Sequence, residues 1–152
     1  MTDEALRRAF RDVPTARLAT IGPRGTPHVA PMWFVWLPDA IYLSSAVGST
    51  TWSNASRDPL VGLVIDRGRD WAELTGVQLE GTAELLRVDH PDMRSPMSSW
   101  HEKYRSMFAG DAFDRFTRAV PELGFLRVEI GQARAWDHGA SDGAIAAPQA
   151  PA

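Results

Sequence analysis

Ala16-Arg17-Leu18-Ala19-Thr20-Ile21-Gly22-Pro23-Arg24-Gly25-Thr26-Pro27-His28-Val29-Ala30-Pro31-Met32-Trp33-Phe34-Val35-Trp36 reads as two strands around a tight turn. Gly22-Pro23-Arg24-Gly25 combines the two strongest punctuators of the backbone, so the chain reverses there. Ala16 to Ile21 is the first strand and Pro27 to Trp36 the second. The second is almost wholly apolar from Val29 onward, the pattern of a strand covered on both faces. Pro31 has no N–H to give to a ladder, so it marks an edge or a bulge. Leu37-Pro38-Asp39-Ala40 turns the chain back, and Ile41-Tyr42-Leu43-Ser44 supplies a third strand. Short connections between successive strands make an antiparallel meander.

Outward from this meander the pattern continues. Leu6, Ala9 and Phe10 fall on one side of a short helix over residues 2–11, which Pro14 closes. Ser49 or Thr50 caps a second short helix that runs to Arg57 and stops at Asp58-Pro59, since the residue before proline avoids helical geometry. Leu60 to Ile65 is a buried strand. The longest strand spans Trp71 to Val88, with Val77, Leu79, Ala83 and Leu85 on one face and Gln78, Glu80, Thr82 and Glu84 on the other. Gly76 or Gly81 bends it. Beyond Pro91 the spacing turns helical: Ser99 and Glu102 have the spacing of a capping box, and Trp100, Tyr104, Met107 and Phe108 share a face. A further helix covers 111–120, and a last strand runs from Gly124 to about Trp136, with Leu126, Val128 and Ile130 alternating against Arg127 and Glu129. These elements predict a mainly β fold, a six-stranded antiparallel barrel interrupted by a helical pair, over residues 1–138. The Ala-, Pro- and Gly-rich residues 139–152 are expected to be disordered.

Composition narrows the function. The chain has 152 residues, enough for one self-sufficient core. Its net charge of -3 lacks the basic excess of a nucleic-acid binder, so no nucleic-acid partner is expected. With no cysteine there are no disulfides, thiol nucleophiles or thiolate metal sites. Met1-Thr2-Asp3-Glu4 is unlike a basic leader, and no apolar run is long enough to span a bilayer. A cytoplasmic protein with no membrane partner is expected. The four histidines, His28, His90, His101 and His138, have no metal-ligand spacing, so no metal is expected. His28 and His101 read as surface residues. No serine occupies a nucleophile elbow, and Glu80 and Glu84 read as a solvated strand face. No catalytic residue emerges. A cofactor would have to supply any reactivity.

Two stretches could receive one. At Gly48-Ser49-Thr50-Thr51 a strand ends, a glycine turns the chain, and hydroxyls open a helix. Unpaired N–H groups and the helix dipole favour an anion there, though a plain N-cap needs the same residues. The Trp-rich run Met32 to Trp36 could wall a planar ring, or serve as barrel core or dimer face.

The order of these motifs resembles the pyridoxamine 5′-phosphate oxidase-like split-barrel family. The resemblance rests on Leu18 to Phe34, on Ile41-Tyr42-Leu43-Ser44-Ser45, and on Gly48 through Asn54-Ala55-Ser56-Arg57-Asp58-Pro59-Leu60-Val61. Glu80-Gly81-Thr82-Ala83-Glu84, Lys103-Tyr104 and Ala135-Trp136-Asp137 are similar to later family signatures. It covers roughly residues 5–138 and is nearest the deazaflavin- and flavin-dependent oxidoreductases of actinobacterial type. The resemblance implies a split β-barrel and a homodimer with cofactor sites across the subunit interface. The cofactor would be FMN or the deazaflavin coenzyme (F-420). Pro31, Met32 and Trp33 would lie against the ring, Ser44, Ser45, Ser49, Thr50 and Thr51 would bind the phosphate, and Asn54 would be a further cofactor-binding residue. The opposite subunit would close the site with the long strand and the Trp100–Tyr104 helix.

The chain departs from the family where the phosphate is held. Relatives place two cations after the serine; here Thr50 and Thr51 stand in their place. Each lost charge-assisted partner weakens an anion site by ~1–3 kcal/mol. Trp52 is large where small or polar residues are usual. The long strand carries Gln78 two residues from the position where the phosphopyridoxal oxidase uses a ring-contacting glutamine, here Gly76, so vitamin B6 oxidation is not expected. Two readings remain. One is an oxidoreductase passing hydride between the cofactor and an unsaturated small molecule. The other is a non-catalytic binding or carrier protein for flavin, haem or another planar ligand. For a deazaflavin tail the candidate cations are Arg24, Arg57 and Arg69. For haem the candidate ligands are the histidines, Tyr42, Tyr104 and the methionines.

Overall fold

The computed structural model describes residues 3–140; the segment expected to be disordered lies mostly outside the described residues. The chain runs α1 (Asp3–Phe10), β1 (Ala16–Ile21), β2 (Pro27–Met32), β3 (Phe34–Trp36), β4 (Ile41–Ala46), α2 (Thr50–Arg57), β5 (Leu60–Arg67), β6 (Thr75–Arg87), α3 (Arg94–Arg105), α4 (Ala112–Ala119) and β7 (Leu123–Asp137). The strands form one sheet in the order β2-β1-β5-β6-β7-β4-β3, with every described pairing antiparallel.

That order explains why seven strands appear where six are expected. The two ends of the sheet, β2 and β3, are the halves of the single predicted strand Pro27 to Trp36. The strand breaks at Trp33. Its first half pairs with β1 and its second with β4. The Ser44 N–H donates to the Trp33 carbonyl at 2.9 Å and ties the break to β4. The sheet thus closes on itself through one bent strand, a barrel with a split. Edge strands are where a proline is tolerated, and Pro31 lies on β2, whose free side is an edge. The expectation that this strand is covered on both faces holds only for its second half. Phe34, Val35 and Trp36 are all buried, whereas β2 alternates and leaves Val29 64% exposed.

Two apolar clusters flank the sheet. Leu18, Phe34, Leu43, Leu63, Leu79 and Val128 fill the barrel, and α1 contributes Leu6 and Phe10. Outside it, Trp100, Tyr104 and Phe113 from the helices pack on Tyr42, Leu86 and Phe125. Leu86 therefore lies buried on the face where Glu84 is exposed, because α3 and α4 cover only that end of β6.

The long strand begins at Thr75, since residues 71–73 form a helical turn instead. Its bend comes at Gly81, with a register shift between Glu80 and Gly81. A Cβ on Gly81 would come within 2.3 Å of the Glu129 carbonyl oxygen, so β7 approaches too closely for any side chain. Helix α3 starts at Arg94, five residues before the predicted capping box, which lies inside the helix. Pro96 falls in its first turn, where a missing N–H leaves no bond unmade, and the preceding turn Pro91–Met93 is capped by His90.

Candidate functional site

Gly48 adopts φ 80°, a left-handed value that suits glycine, and so turns β4 into α2. Ser49 is the N-cap: its hydroxyl accepts from the Trp52 N–H at 3.2 Å. The same hydroxyl shares a 3.0 Å hydrogen bond with Ser45, which β4 holds almost fully buried. Ser44, one residue back, donates its hydroxyl to the Trp33 carbonyl at 3.4 Å. The strand break, the end of β4 and the first turn of α2 therefore meet in one place.

The inner side of α2 is polar and paired. Thr51 is buried, with its hydroxyl 3.4 Å from His28 Nε2 on β2. Asn54 is 2% exposed and donates to the Thr20 hydroxyl on β1 at 3.1 Å. Its carbonyl oxygen accepts from Arg57, whose guanidinium also donates to the Ile21 carbonyl at 2.9 Å. Buried polar groups need partners, and Asn54 has them on both sides. His28 is thus half-buried against α2 rather than a surface residue, and His101 is half-buried between Trp100 and Phe113. The sequence carried no signal for the pairing of His28 with Thr51, because the two lie 23 residues apart and meet only through the barrel.

The predicted ring-wall residues part company by alternation. Pro31 is exposed, Met32 is buried in the barrel cluster, and the Trp33 ring packs against the helices. Trp33 stacks on Tyr104 at 4.5 Å with the rings 8° from parallel, and Phe108 and Phe116 flank it. Met32 can therefore offer a ligand its backbone, and Pro31 its ring. Thr50 is exposed at the helix start, and Trp52 lies over Gly124 on β7. Of the candidate cations, Arg57 is committed to Asn54 and Ile21, while Arg24 and Arg69 are exposed.

The donor set here is neutral: hydroxyls plus the N–H groups that open a helix. It fits a phosphate ester through hydrogen bonds, without the full charge compensation that a multiply charged tail calls for.

A strand-split antiparallel barrel with a capped helix beside the break defines the class: an FMN-binding-type split barrel. The chain belongs to the pyridoxamine 5′-phosphate oxidase family, whose sequence model matches residues 2–137. It is similar in structure to the conserved hypothetical protein Rv2991 from Mycobacterium tuberculosis, at 28% identity over 91% of this chain and 86% of that one, with a TM-score of 0.73. HutZ, the heme storage protein of Vibrio cholerae, shares the fold at 14% identity over 88% and 90% of the two chains, with a TM-score of 0.67. A protein described as an F-420 reductase does so at 16% identity over 84% and 94%, with a TM-score of 0.63. A search of curated proteins found no match. No helix among the described residues is long and apolar enough to cross a membrane.

Proposed function

We propose that this chain binds a flavin-type cofactor, FMN or the deazaflavin coenzyme (F-420), as a homodimer and acts as an oxidoreductase on an unsaturated small molecule in the cytoplasm. The observation that carries the reading is the meeting of the Trp33 backbone, Ser44, Ser45 and the Ser49-capped turn of α2 at the break of one strand. Family membership supports the cofactor class. The F-420 reductase and the heme storage protein share the fold, so deazaflavin and haem belong among the ligands to try.

The hydroxyls of Ser49 and the exposed Thr50 and the first N–H groups of α2 hold the phosphate, with Ser45 bonded behind Ser49; Thr51 and Asn54 keep α2 fixed to β2 and β1. Pro31 and the neighbouring outer face of β2 back the ring. A bound flavin supplies the hydride chemistry, and the protein supplies orientation. The dimer reading rests on the outer sheet face, where Val29 and Leu60 are 64% and 58% exposed beside a groove lined by Ile21, Pro27 and Thr82. A second copy on that face closes the site.

Titration of apo protein with FMN, riboflavin, deazaflavin coenzyme and haemin, followed by fluorescence and Soret absorbance, tests the reading. Micromolar or tighter binding of a flavin-type ligand is the expected outcome. Binding of haemin alone replaces the enzyme by a planar-ligand carrier, and binding of none removes both. A monomer by light scattering at micromolar protein removes the shared site.

A further inference from the structure

The β1–β2 ladder ends with Ala16 opposite Met32. Extending that register by two residues would bring Pro14 opposite Phe34. The ladder does not extend, because the strand breaks at Trp33 and β3 turns away to β4. Phe34 is opposite Leu43 in β3–β4, yet the bonds beside that pair run through Trp33 and Ser44. The Phe34 N–H and carbonyl therefore face the open edge, where unpaired backbone groups are costly when buried.

Two consecutive residues of α3 fill the gap. The Tyr104 hydroxyl accepts from the Phe34 N–H at 2.7 Å and donates toward the Pro14 carbonyl at 2.8 Å, with the Phe34 carbonyl at 3.1 Å. The Lys103 ammonium donates to the carbonyls of Arg11 and Val13 at 2.8 Å and of Phe34 at 2.9 Å, and lies 3.7 Å above the Phe34 ring. All three ammonium protons are used. These side chains replace the ladder bonds that the break removes, joining residues 11–14 to β3.

We propose that Lys103 and Tyr104 are positioning residues for the candidate site: wedged into the opened ladder, they hold the strand break at Trp33 in place and so seat its carbonyl against Ser44. The proposal rests on the flavin-type reading only for what that backbone is used for; the wedge stands on its own hydrogen bonds.

Hydrogen exchange on the full chain tests the wedge without any ligand. In K103A and in Y104F the amides of Phe34 and Ser44 lose protection by ~10-fold or more, the loss expected from removing a buried or charge-assisted hydrogen bond, while Leu63 on the far side of the barrel changes far less. Ethylammonium, which can occupy the carbonyl cage, restores protection in K103A and not in Y104F. Equal loss at all three amides, no loss at Phe34 and Ser44, or no rescue overturns the proposal. Riboflavin, which lacks the phosphate, then reads the link to the site. Its affinity falls ~10-fold in K103A and recovers with ethylammonium. Local loss of protection with riboflavin affinity unchanged overturns the positioning role. A wild type that binds no flavin removes the function proposed above, and the exchange data still decide the wedge.

Discussion

The two sides of the broken strand are bonded differently. Toward α3, contacts are short, and those of the ammonium are charge-assisted: one ammonium and one phenol serve five backbone groups at 2.7–2.9 Å. Toward α2, the neutral hydroxyls of Ser44, Ser45, Ser49 and Thr51 meet one another, a ring nitrogen or a backbone group at 3.0–3.4 Å. The first kind of contact is expensive to undo, because the buried Phe34 N–H and the largely buried ammonium would be left without partners. The second can be exchanged for a ligand's oxygens at little cost, since a hydroxyl rotates to suit. A seam built from the first and a candidate site built from the second lie on the two sides of one strand.

The largest effect expected is on the α3 side. Trp100 is 1% exposed and packs among Trp33, Tyr104, Phe113 and Phe125. Trp100→Ala lowers stability by about 3–5 kcal/mol in urea denaturation. A loss under 1 kcal/mol would mean that the helical cover is not part of the cooperative fold.

Next comes a pH effect of the seam itself. Burial pushes the Lys103 ammonium down to about 8, with Asp12 pulling weakly the other way. The unfolded chain holds that proton more tightly, so stability rises as pH climbs from about 8 toward the unfolded value of 10.5. The gain amounts to about 1–3 kcal/mol after allowance for partial exposure. Lys103 lines one groove with Arg7, Arg11 and Asp12 from α1 and the turn after it and with Glu102 from its own helix; β3 adds the uncharged Val35 and Trp36. Tyr104, held protonated well above the usual range by burial, opposes the gain above pH 10. Comparing wild type with K103M in urea at pH 7.5 and 9.5 isolates the lysine. An equal pH dependence in both chains would show that the ammonium is not the group responsible.

The smallest effect is expected on the α2 side. Ser49→Ala removes the cap of α2 and the partner of Ser45, and costs about 1 kcal/mol of stability. On the proposed phosphate role of the hydroxyl, FMN affinity falls further than riboflavin affinity. An equal loss for both flavins would move the phosphate away from α2.

Local pattern made much of this legible. Glycine and proline at 22–25 and 58–59 placed the turns, and the alternation of Val77, Leu79 and Ala83 against Gln78, Glu80 and Thr82 placed the long strand. The cap could be narrowed to Ser49 or Thr50, of which it is Ser49, because capping is a contact between near neighbours. The start of α3 was harder to see, since prolines near residues 91 and 96 look like breakers and are tolerated only because they fall in first turns. The Ser99–Glu102 spacing is real but sits mid-helix, where the N–H groups already have partners.

Thus the sequence alone determined the strand-forming segments and their succession along the chain, and the hydroxyl-rich, cation-free start of α2 at Ser49-Thr50-Thr51. These depend on periodicity and on residues close in the chain. Only the tertiary structure decided that the apolar run from Pro27 to Trp36 breaks at Trp33, that Met32 and Trp33 face opposite ways into different clusters, and that His28 meets Thr51. It also decided that Lys103 and Tyr104 reach back 90 residues to Val13 and Pro14. An apolar run is continuous whether the strand bends or not. What bends it is barrel closure, which makes one strand serve two neighbours, and the backbone groups that this frees must be satisfied by whatever side chains the fold brings near.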